Sequence, residues 1–382
     1  MERLHIAFFG PANSGKSTLV NAICGQEVSL VSPIPGTTTD PVRKTIELPG
    51  LGPCVLIDTA GLDDTSVLGA ERLRRTHAVL DETDIAVVLL QPPSEGQQEQ
   101  KPGNDAAGIS EIGTLLSRAD IPIVHYTRSE SVDSLLRRIA AVRPAEEERF
   151  LTGDLVKAGD TVLLVMPQDS EAPKGRLILP QVQVIRELLD RGCNPLCCTP
   201  DSLQSAMAGL KEPPALVITD SQVFASVNCS IPKDWPLTSF SILLAAAKGD
   251  AAVFLEGARA IDRLDAHSRV LIAEACSHVP DTEDIGRVKI PNLLRKRAAG
   301  SGAPGDLQID IAAGNDFPED LSPYDLVIHC GACTAGRSLV RARTRKALLG
   351  GVPITNYGIA LAYLQGILER VVIPGPASRK EG

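Results

Sequence analysis

Eight residues near the start of the chain, Gly10-Pro-Ala-Asn-Ser-Gly-Lys-Ser17, have the G-x-x-x-x-G-K-[ST] spacing that phosphate chemistry requires. Gly10 and Gly15 let the backbone N–H groups of such a loop wrap phosphate oxygens at the positive end of a helix. There Lys16 reaches the β- and γ-phosphates and the Ser17 hydroxyl binds Mg²⁺, with Ser14 and Thr18 completing the nucleotide contacts. Downstream, Asp58-Thr-Ala-Gly61 brings a carboxylate toward the Mg²⁺ and the Gly61 N–H toward the γ-phosphate. Between them, Pro35-Gly-Thr-Thr-Thr-Asp40 supplies hydroxyls on a loop, Thr38 being the expected second hydroxyl on Mg²⁺. Lys16 and Asp58 are the expected catalytic residues of a nucleoside-triphosphate site.

A second constellation lies far along the chain, where Cys276-Ser-His278 precedes His329-Cys-Gly-Ala-Cys333 by some fifty residues. Thiolates are the ligands of iron–sulfur clusters, and Cys-x-x-Cys lets two of them reach adjacent irons. Three cysteines supply three corners of a [4Fe–4S] cluster. The same spacing also suits a tetrahedral zinc held by Cys276, Cys330, Cys333 and one histidine, or plain buried thiols. The remaining cysteines, Cys24, Cys54, Cys193, Cys197, Cys198 and Cys229, have no histidine partners and read as core thiols. His5, His77, His125 and His267 have no ligand spacing.

Strands and helices must hold these side chains in place. Apolar runs at Ile6–Phe9, Val55–Ile57, Ile85–Leu90 and Ile121–Val124 alternate with helix-like stretches, the rhythm of a parallel sheet covered on both faces. The polar loop Gln91–Gly108 interrupts that series, and a helix at Ser131–Val142 ends it before a charged, Pro-bearing linker. A second βα series follows, with strands at Thr161–Met166, Pro195–Cys198 and Ala215–Thr219 and a helix over Leu179–Arg191. The third part has strands at Val270–Ala275 and Leu326–Ile328 and a helical stretch near Gly358–Arg370. The fold expected is α/β throughout. The domains expected are a P-loop α/β domain at 1–146, a small α/β domain at 155–240 and a further α/β domain at 241–382. No internal repeat is read. Gly286-Arg-Val-Lys-Ile290 reads as a strand whose Arg287 and Lys289 face either the cysteine cleft or solvent.

Composition removes several classes of function. The chain has 382 residues, 43% hydrophobic and 22% charged, too long and too poor in paired cysteines for a disulfide-stapled miniature. Its net charge of −9 opposes phosphate backbones, and 3% aromatic residues leave little for base stacking, so no nucleic-acid partner is expected. The longest apolar run, Phe240–Ala247, falls far short of the roughly 20 residues that cross a bilayer. No secretion signal is read at the start, and the expected location is the cytoplasm.

With Pro-Gly-Thr-Thr as a first switch and Asp-Thr-Ala-Gly-Leu as a second, residues 1–90 resemble the translation-factor-related GTPases of the tRNA-modification and ribosome-assembly type. That resemblance implies GTP and Mg²⁺, and a K⁺ ion held against the phosphates by Asn13. Leu62 stands where Ras-like proteins carry a water-orienting Gln, so hydrolysis is expected to be slow, with Glu71 a weak substitute. Where the resemblance calls for Asn-Lys-x-Asp to read guanine, the chain has Thr127-Arg-Ser-Glu130, and Glu130 alone can stand for the reading carboxylate. The helix after it reads as the domain's last, with the usual later helix, strand and Ser-Ala loop missing.

Cys-x-His followed by His-Cys-x-x-Cys behind such a domain resembles the HydF family of [FeFe]-hydrogenase H-cluster maturation GTPases. Asp58-Thr-Ala-Gly-Leu-Asp-Asp64, Pro173-Lys-Gly-Arg-Leu-Ile-Leu-Pro180 and Glu283-Asp-Ile-Gly-Arg-Val-Lys-Ile-Pro291 are similar to that family as well. The resemblance implies a homodimer through the 155–240 dimerisation domain and a [4Fe–4S] cluster in the 241–382 cluster-binding domain, on Cys276, Cys330 and Cys333. Three thiolates leave the fourth corner to His278, His329, another side chain or solvent. It further implies a scaffold that delivers a two-iron subcluster to apo-[FeFe]-hydrogenase, together with two radical-SAM maturases. The rival reading is a zinc- or cluster-dependent enzyme with a regulatory GTPase domain attached, although no acid/base pair stands beside the cysteines.

Overall fold

The computed structural model describes residues 3–11, 13–25, 41–59, 78–90, 113–114, 116–117, 121–143, 150–168, 177–275, 284–299, 306–314 and 316–375. They belong to two compact units, residues 1–147 and 148–382, each of which is α/β. Among the described residues no helix is long and apolar enough to cross a membrane.

The first unit runs β1 (Leu4–Phe9), α1 (Lys16–Cys24), β2 (Val42–Leu48), β3 (Gly52–Asp58), β4 (Ile85–Leu89), β5 (Ile123–Tyr126) and α2 (Val132–Val142). The sheet order is β2-β3-β1-β4-β5, parallel except for β2, which lies antiparallel on β3. The pleat sorts each inner strand into two faces. Ile6, Phe8, Leu56 and Val87 pack with Leu19 and Val20 of α1 and Leu135 and Ile139 of α2. Ala7, Phe9, Ile57 and Val88 build the opposite face. Burial on both sides is why these strands read as unbroken apolar runs. The edge strand β2 escapes that reading because every second residue is exposed and charges interrupt it. β5 starts later than the apolar run because Pro122 has no N–H to give; only its carbonyl takes part, accepting from Ala86 at 2.9 Å.

Among the described residues the second unit holds two four-stranded parallel sheets. Its first half comprises β6 (Thr161–Val165), α3 (Leu179–Asp190), β7 (Asn194–Cys198), α4 (Leu203–Ala208), β8 (Leu216–Thr219), α5 (Phe224–Ser230), β9 (Leu237–Ser239) and α6 (Phe240–Lys248). The helix α7 (Ala251–Arg259) leads into β10 (Arg269–Glu274), α8 (Ile290–Ala299), β11 (Gln308–Ala313), β12 (Leu326–His329), α9 (Arg337–Leu349), β13 (Ile354–Asn356) and α10 (Tyr357–Leu364). The sheet orders are β7-β6-β8-β9 and β11-β10-β12-β13, the same path traced twice. The expectation of no internal repeat is therefore corrected. The clearest sequence trace is Pro236-Leu-Thr-Ser-Phe-Ser-Ile-Leu-Leu-Ala245 beside Pro353-Ile-Thr-Asn-Tyr-Gly-Ile-Ala-Leu-Ala362, too short a match to stand out without the topology. Both segments form a short strand whose last residue, Ser239 or Asn356, caps the following helix. The helices α6 and α10 meet at the equivalent residues Ser241 and Gly358, where a Cβ on Gly358 would lie 2.5 Å from the Ser241 hydroxyl. One buried cluster, from Leu163 and Val217 to Leu271, Val327 and Ile359, joins the two sheets.

Two further readings change. Residues 285–289 form a π-helical turn rather than a strand, capped by Asp284, with Gly286 required because a Cβ would sit 2.0 Å from the Tyr357 hydroxyl. Cys197 and Cys229 are exposed and are not core thiols, whereas Cys54 and Cys193 are buried, and burial pushes the Cys54 thiol up to about 11.

Gly257 of α7 touches β13 so closely that an added Cβ would lie 1.9 Å from the Ile354 carbonyl oxygen. Gly257→Ala should therefore destabilise the second unit by about 1–3 kcal/mol, the usual cost of overpacking, read as an earlier denaturant midpoint. An unchanged midpoint would contradict this packing.

Candidate functional site

Parallel strands of one sheet end on the same edge, so whatever follows them is gathered there. In the first unit that edge receives the loop after β1 and the carboxylate ending β3. Asn13 and Gly15 take left-handed conformations, φ 59° and 95°, which bend the loop into the start of α1. Gly10 also has a steric reason to be glycine, since a Cβ would come within 2.9 Å of the Ser14 hydroxyl. Lys16 is 6% exposed and donates to the Gly10 and Pro11 carbonyls at 2.9 and 2.7 Å. Its ammonium is thus stored over the loop that would receive phosphate. The Ser17 hydroxyl donates to Asp58 at 2.5 Å, so the two groups expected to share a Mg²⁺ stand together. Thr59 anchors the end of β3 by donating to the Phe8 carbonyl at 2.6 Å. The buried Ser14 hydroxyl finds no hydrogen-bond partner among the described residues, which suits a site completed by a phosphate oxygen. Thr18 is exposed on the first turn of α1. Thr38, Gly61 and Glu71 lie outside the described residues.

The segment after β5 holds a residue that sequence reasoning passed over. Arg128 donates to the Asn13 carbonyl at 2.7 Å and the Ser14 carbonyl at 3.1 Å, clasping the phosphate loop from the side of the expected base site. Its signal was its place within Thr127-Arg-Ser-Glu130, but only the carboxylate of that run was singled out. Glu130 is turned back on its own helix, where one oxygen accepts from Ser134 at 2.7 Å and the other from Arg138 at 2.9 Å.

In the second unit the chain leaves β10 for β11 on one side, then crosses back to β12 on the other. The gap between the ends of β10 and β12 is a topological switch point, the place where open α/β sheets bind ligands. Cys330 lies there. Its N–H donates to the Ala273 carbonyl at 2.8 Å, and its sulfur accepts N–H groups from Ala275 at 3.1 Å and Ala332 at 3.4 Å. Backbone N–H groups aimed at sulfur favour a thiolate and suit a metal-bound one. Cys333 follows on the same loop, half-buried. Cys276 and His278 lie outside the described residues. Among the described residues no three Cys, His, Asp or Glu side chains form a metal-binding group, so neither a cluster nor a zinc set is assembled there in full.

His329 is buried, and burial together with the neighbouring Arg343 guanidinium drives its pKa down to about 3. Its Nδ1 bonds the Cys330 carbonyl at 2.8 Å and its Nε2 bonds Arg343 at 3.2 Å. A neutral ring so placed donates from Nδ1 and accepts at Nε2, which leaves no lone pair for iron. Asn356 also donates to the Cys330 carbonyl, at 3.3 Å. Arg287 pairs with the buried Glu274 at 2.8 Å, and Lys289 donates to Gln222, so both residues of the π turn are spent on structural contacts.

Three family models match the chain in succession: a 50S ribosome-binding GTPase over residues 5–128, a hydrogen maturase F dimerization domain over 151–249 and a hydrogen maturase F tetramerization domain over 252–374. The tRNA modification GTPase MnmE of Methylobacterium sp. (strain 4-46) is 43% identical over 224 residues, covering 51% of this chain and 51% of that protein. MnmE of Methylorubrum populi is 44% identical over 93 residues, 24% of this chain and 20% of its own length. The chain thus spans from a fifth to about half of these curated relatives. Among solved structures, Aquifex aeolicus Era bound to GDP and aluminium fluoride is 20% identical over 52% of this chain and 93% of that one, with a TM-score of 0.28. NFeoB from S. thermophilus, bound to the same analogue and K⁺, is 19% identical over 36% of this chain and 61% of that one, with a TM-score of 0.22. The first unit is a P-loop GTPase domain, and the two maturase models together take in more than half of the chain. The chain belongs to the HydF family of hydrogenase-maturation GTPases.

Proposed function

We propose that the chain is a K⁺-stimulated GTPase that carries a [4Fe–4S] cluster on Cys276, Cys330 and Cys333 and delivers a two-iron subcluster to apo-[FeFe]-hydrogenase, working with two radical-SAM maturases in the cytoplasm. The observation that carries the reading is Cys330, held at the switch point with two backbone N–H groups on its sulfur. When bound, the cluster supplies iron with a non-cysteine corner where cargo is accepted and released. The chain's own part is to present thiolates from a rigid strand end. With His329 engaged on both nitrogens, His278 or solvent is the better fit for that corner. A homodimer is supported by α3, inside the stretch matched by the dimerization model, where Leu179, Val182 and Leu189 leave apolar surface exposed beside Leu177.

In the first unit, nucleotide binding draws Lys16 off its own loop carbonyls onto the β- and γ-phosphates, while Ser17 and Asp58 part to admit Mg²⁺ directly or through its water. Asn13 helps hold K⁺ against the charge that develops in the transition state. Hydrolysis should therefore be faster in K⁺ than in Na⁺, and Lys16→Ala should lower it by about 10²-fold or more. Equal rates in the two salts would remove the potassium role, and undiminished turnover in Lys16→Ala would remove the site.

Base reading should be weak. A carboxylate bound by Ser134 and Arg138 must give up both contacts to meet a guanine edge, which erodes the usual penalty against the wrong base. Competition titrations should show ATP displacing GTP with a much smaller handicap than 10⁴-fold, and Arg138→Ala should increase the preference for GTP. A strong GTP preference in the unaltered chain would contradict this.

For the carrier role, the chain loaded anaerobically with iron and a two-iron subcluster should activate apo-hydrogenase on mixing. Cys330→Ala and Cys333→Ala should each lose that transfer while the first unit still hydrolyses GTP. Activation by a variant lacking both thiols would overturn the proposal.

A further inference from the structure

Two buried cations, each from a different helix, hold backbone at and beside the thiol loop. Lys248, the last residue of α6, is 7% exposed and donates to the Ala332 carbonyl at 2.7 Å and the Ala335 carbonyl at 2.8 Å. Arg343 of α9 is 2% exposed and donates to the Glu274 carbonyl at 3.1 Å, to the Gly314 carbonyl and to His329. Glu274 ends β10, Gly314 follows β11 and His329 ends β12, so one guanidinium ties three adjacent strand ends. Lys248 secures the far side of the Cys330–Cys333 turn.

Ala332 is the hinge of this arrangement. It takes a left-handed conformation, φ 48°, which alanine adopts only under constraint. Its carbonyl is claimed by Lys248 and its N–H is given to the Cys330 sulfur. The loop's negative ends are therefore turned toward a cation, and its positive ends toward the thiol. Burying ammonium and guanidinium groups is costly, and here they are held by backbone carbonyls around the loop and the strand ends. Fixed positive charge beside the loop that carries the thiols favours an anionic occupant, and a thiolate-ligated cluster gains negative charge with every electron it accepts.

We propose that Lys248 and Arg343 are positioning residues for the metal centre: they preset the Cys330–Cys333 loop and set the reduction potential of the anionic cluster it holds. This rests on the cluster reading above. Lys248 exerts both effects through the Ala332 peptide, and Arg343 through His329 and the strand ends.

The test uses full-length chain reconstituted anaerobically with iron and sulfide, with far-UV circular dichroism to confirm that each variant is folded. Lys248→Gln keeps N–H donors but removes the charge, so it should retain its iron while the cluster's midpoint potential shifts to a lower value. Lys248→Met removes donors and charge together, and should release iron to a chelator about tenfold faster or more, as expected for losing charge-assisted hydrogen bonds. Lys248→Arg should restore both the potential and the retention. Potentials and release rates equal to those of the unaltered chain in both Lys248→Gln and Lys248→Met would overturn the proposal alone. An unaltered chain that takes up no iron and sulfide would overturn the cluster reading and this proposal with it.

Discussion

The thiol site depends on the register of two parallel strands. Ala273 of β10 faces His329 of β12, and the next N–H along β12, that of Cys330, closes on the Ala273 carbonyl at 2.8 Å. A one-residue slip would turn Cys330 to the other face of the sheet and send His329 away from Arg343. Apolar packing prevents the slip, because Val270, Ile272, Leu326 and Ile328 share one buried cluster on one face while Leu271, Ala273 and Val327 share another on the opposite face. The register, fixed by burial alone, delivers a cysteine to the switch point. The buried cations and the left-handed Ala332 then give the loop its shape.

The nucleotide site follows the same logic with different groups. β1 and β3 are paired so that Phe8 lies beside Asp58, and the loop after β1 meets the carboxylate at the end of β3. The polar groups there bond one another: Lys16 its own loop carbonyls, Ser17 the Asp58 carboxylate, Arg128 the loop from outside. The Ser14 hydroxyl is left without a partner among the described residues, and in the proposed reaction phosphate and Mg²⁺ bind by exchanging the other bonds for stronger charge-assisted ones. Binding energy is thereby linked to rearrangement of the loop.

What could be read from the sequence divides along physical lines. Strands buried on both faces, such as β1, β4 and β12, announce themselves as apolar runs, and the phosphate loop does so through glycine spacing. The edge strands β2 and β11 do not: they are half-exposed and carry charges, so they pass for loop. The shared strand order of the two sheets in the second unit was illegible because their side chains differ almost throughout, with only the Pro-x-Thr strands and their helices alike. Lys248 and Arg343 look like surface residues in a sequence, and only burial reveals their work. His329 is a ligand candidate in the sequence because three thiolates leave one cluster corner open and it adjoins Cys330, but its bonds to Arg343 and the Cys330 carbonyl cannot be inferred from adjacency. Glu130 is the single carboxylate of its run, but the sequence does not show that Ser134 and Arg138, one and two turns along α2, hold it away from a base.

The central claim is that the ends of β10 and β12 hold an iron–sulfur cluster on cysteine thiolates. Iron, sulfide and zinc determined per chain on anaerobically isolated and reconstituted protein test it most directly. The account predicts about four irons and four sulfides per chain, with no stoichiometric zinc, and loss of most of that iron in Cys330→Ala. One tightly bound zinc without sulfide, or a Cys330→Ala variant that keeps its full iron, would contradict it.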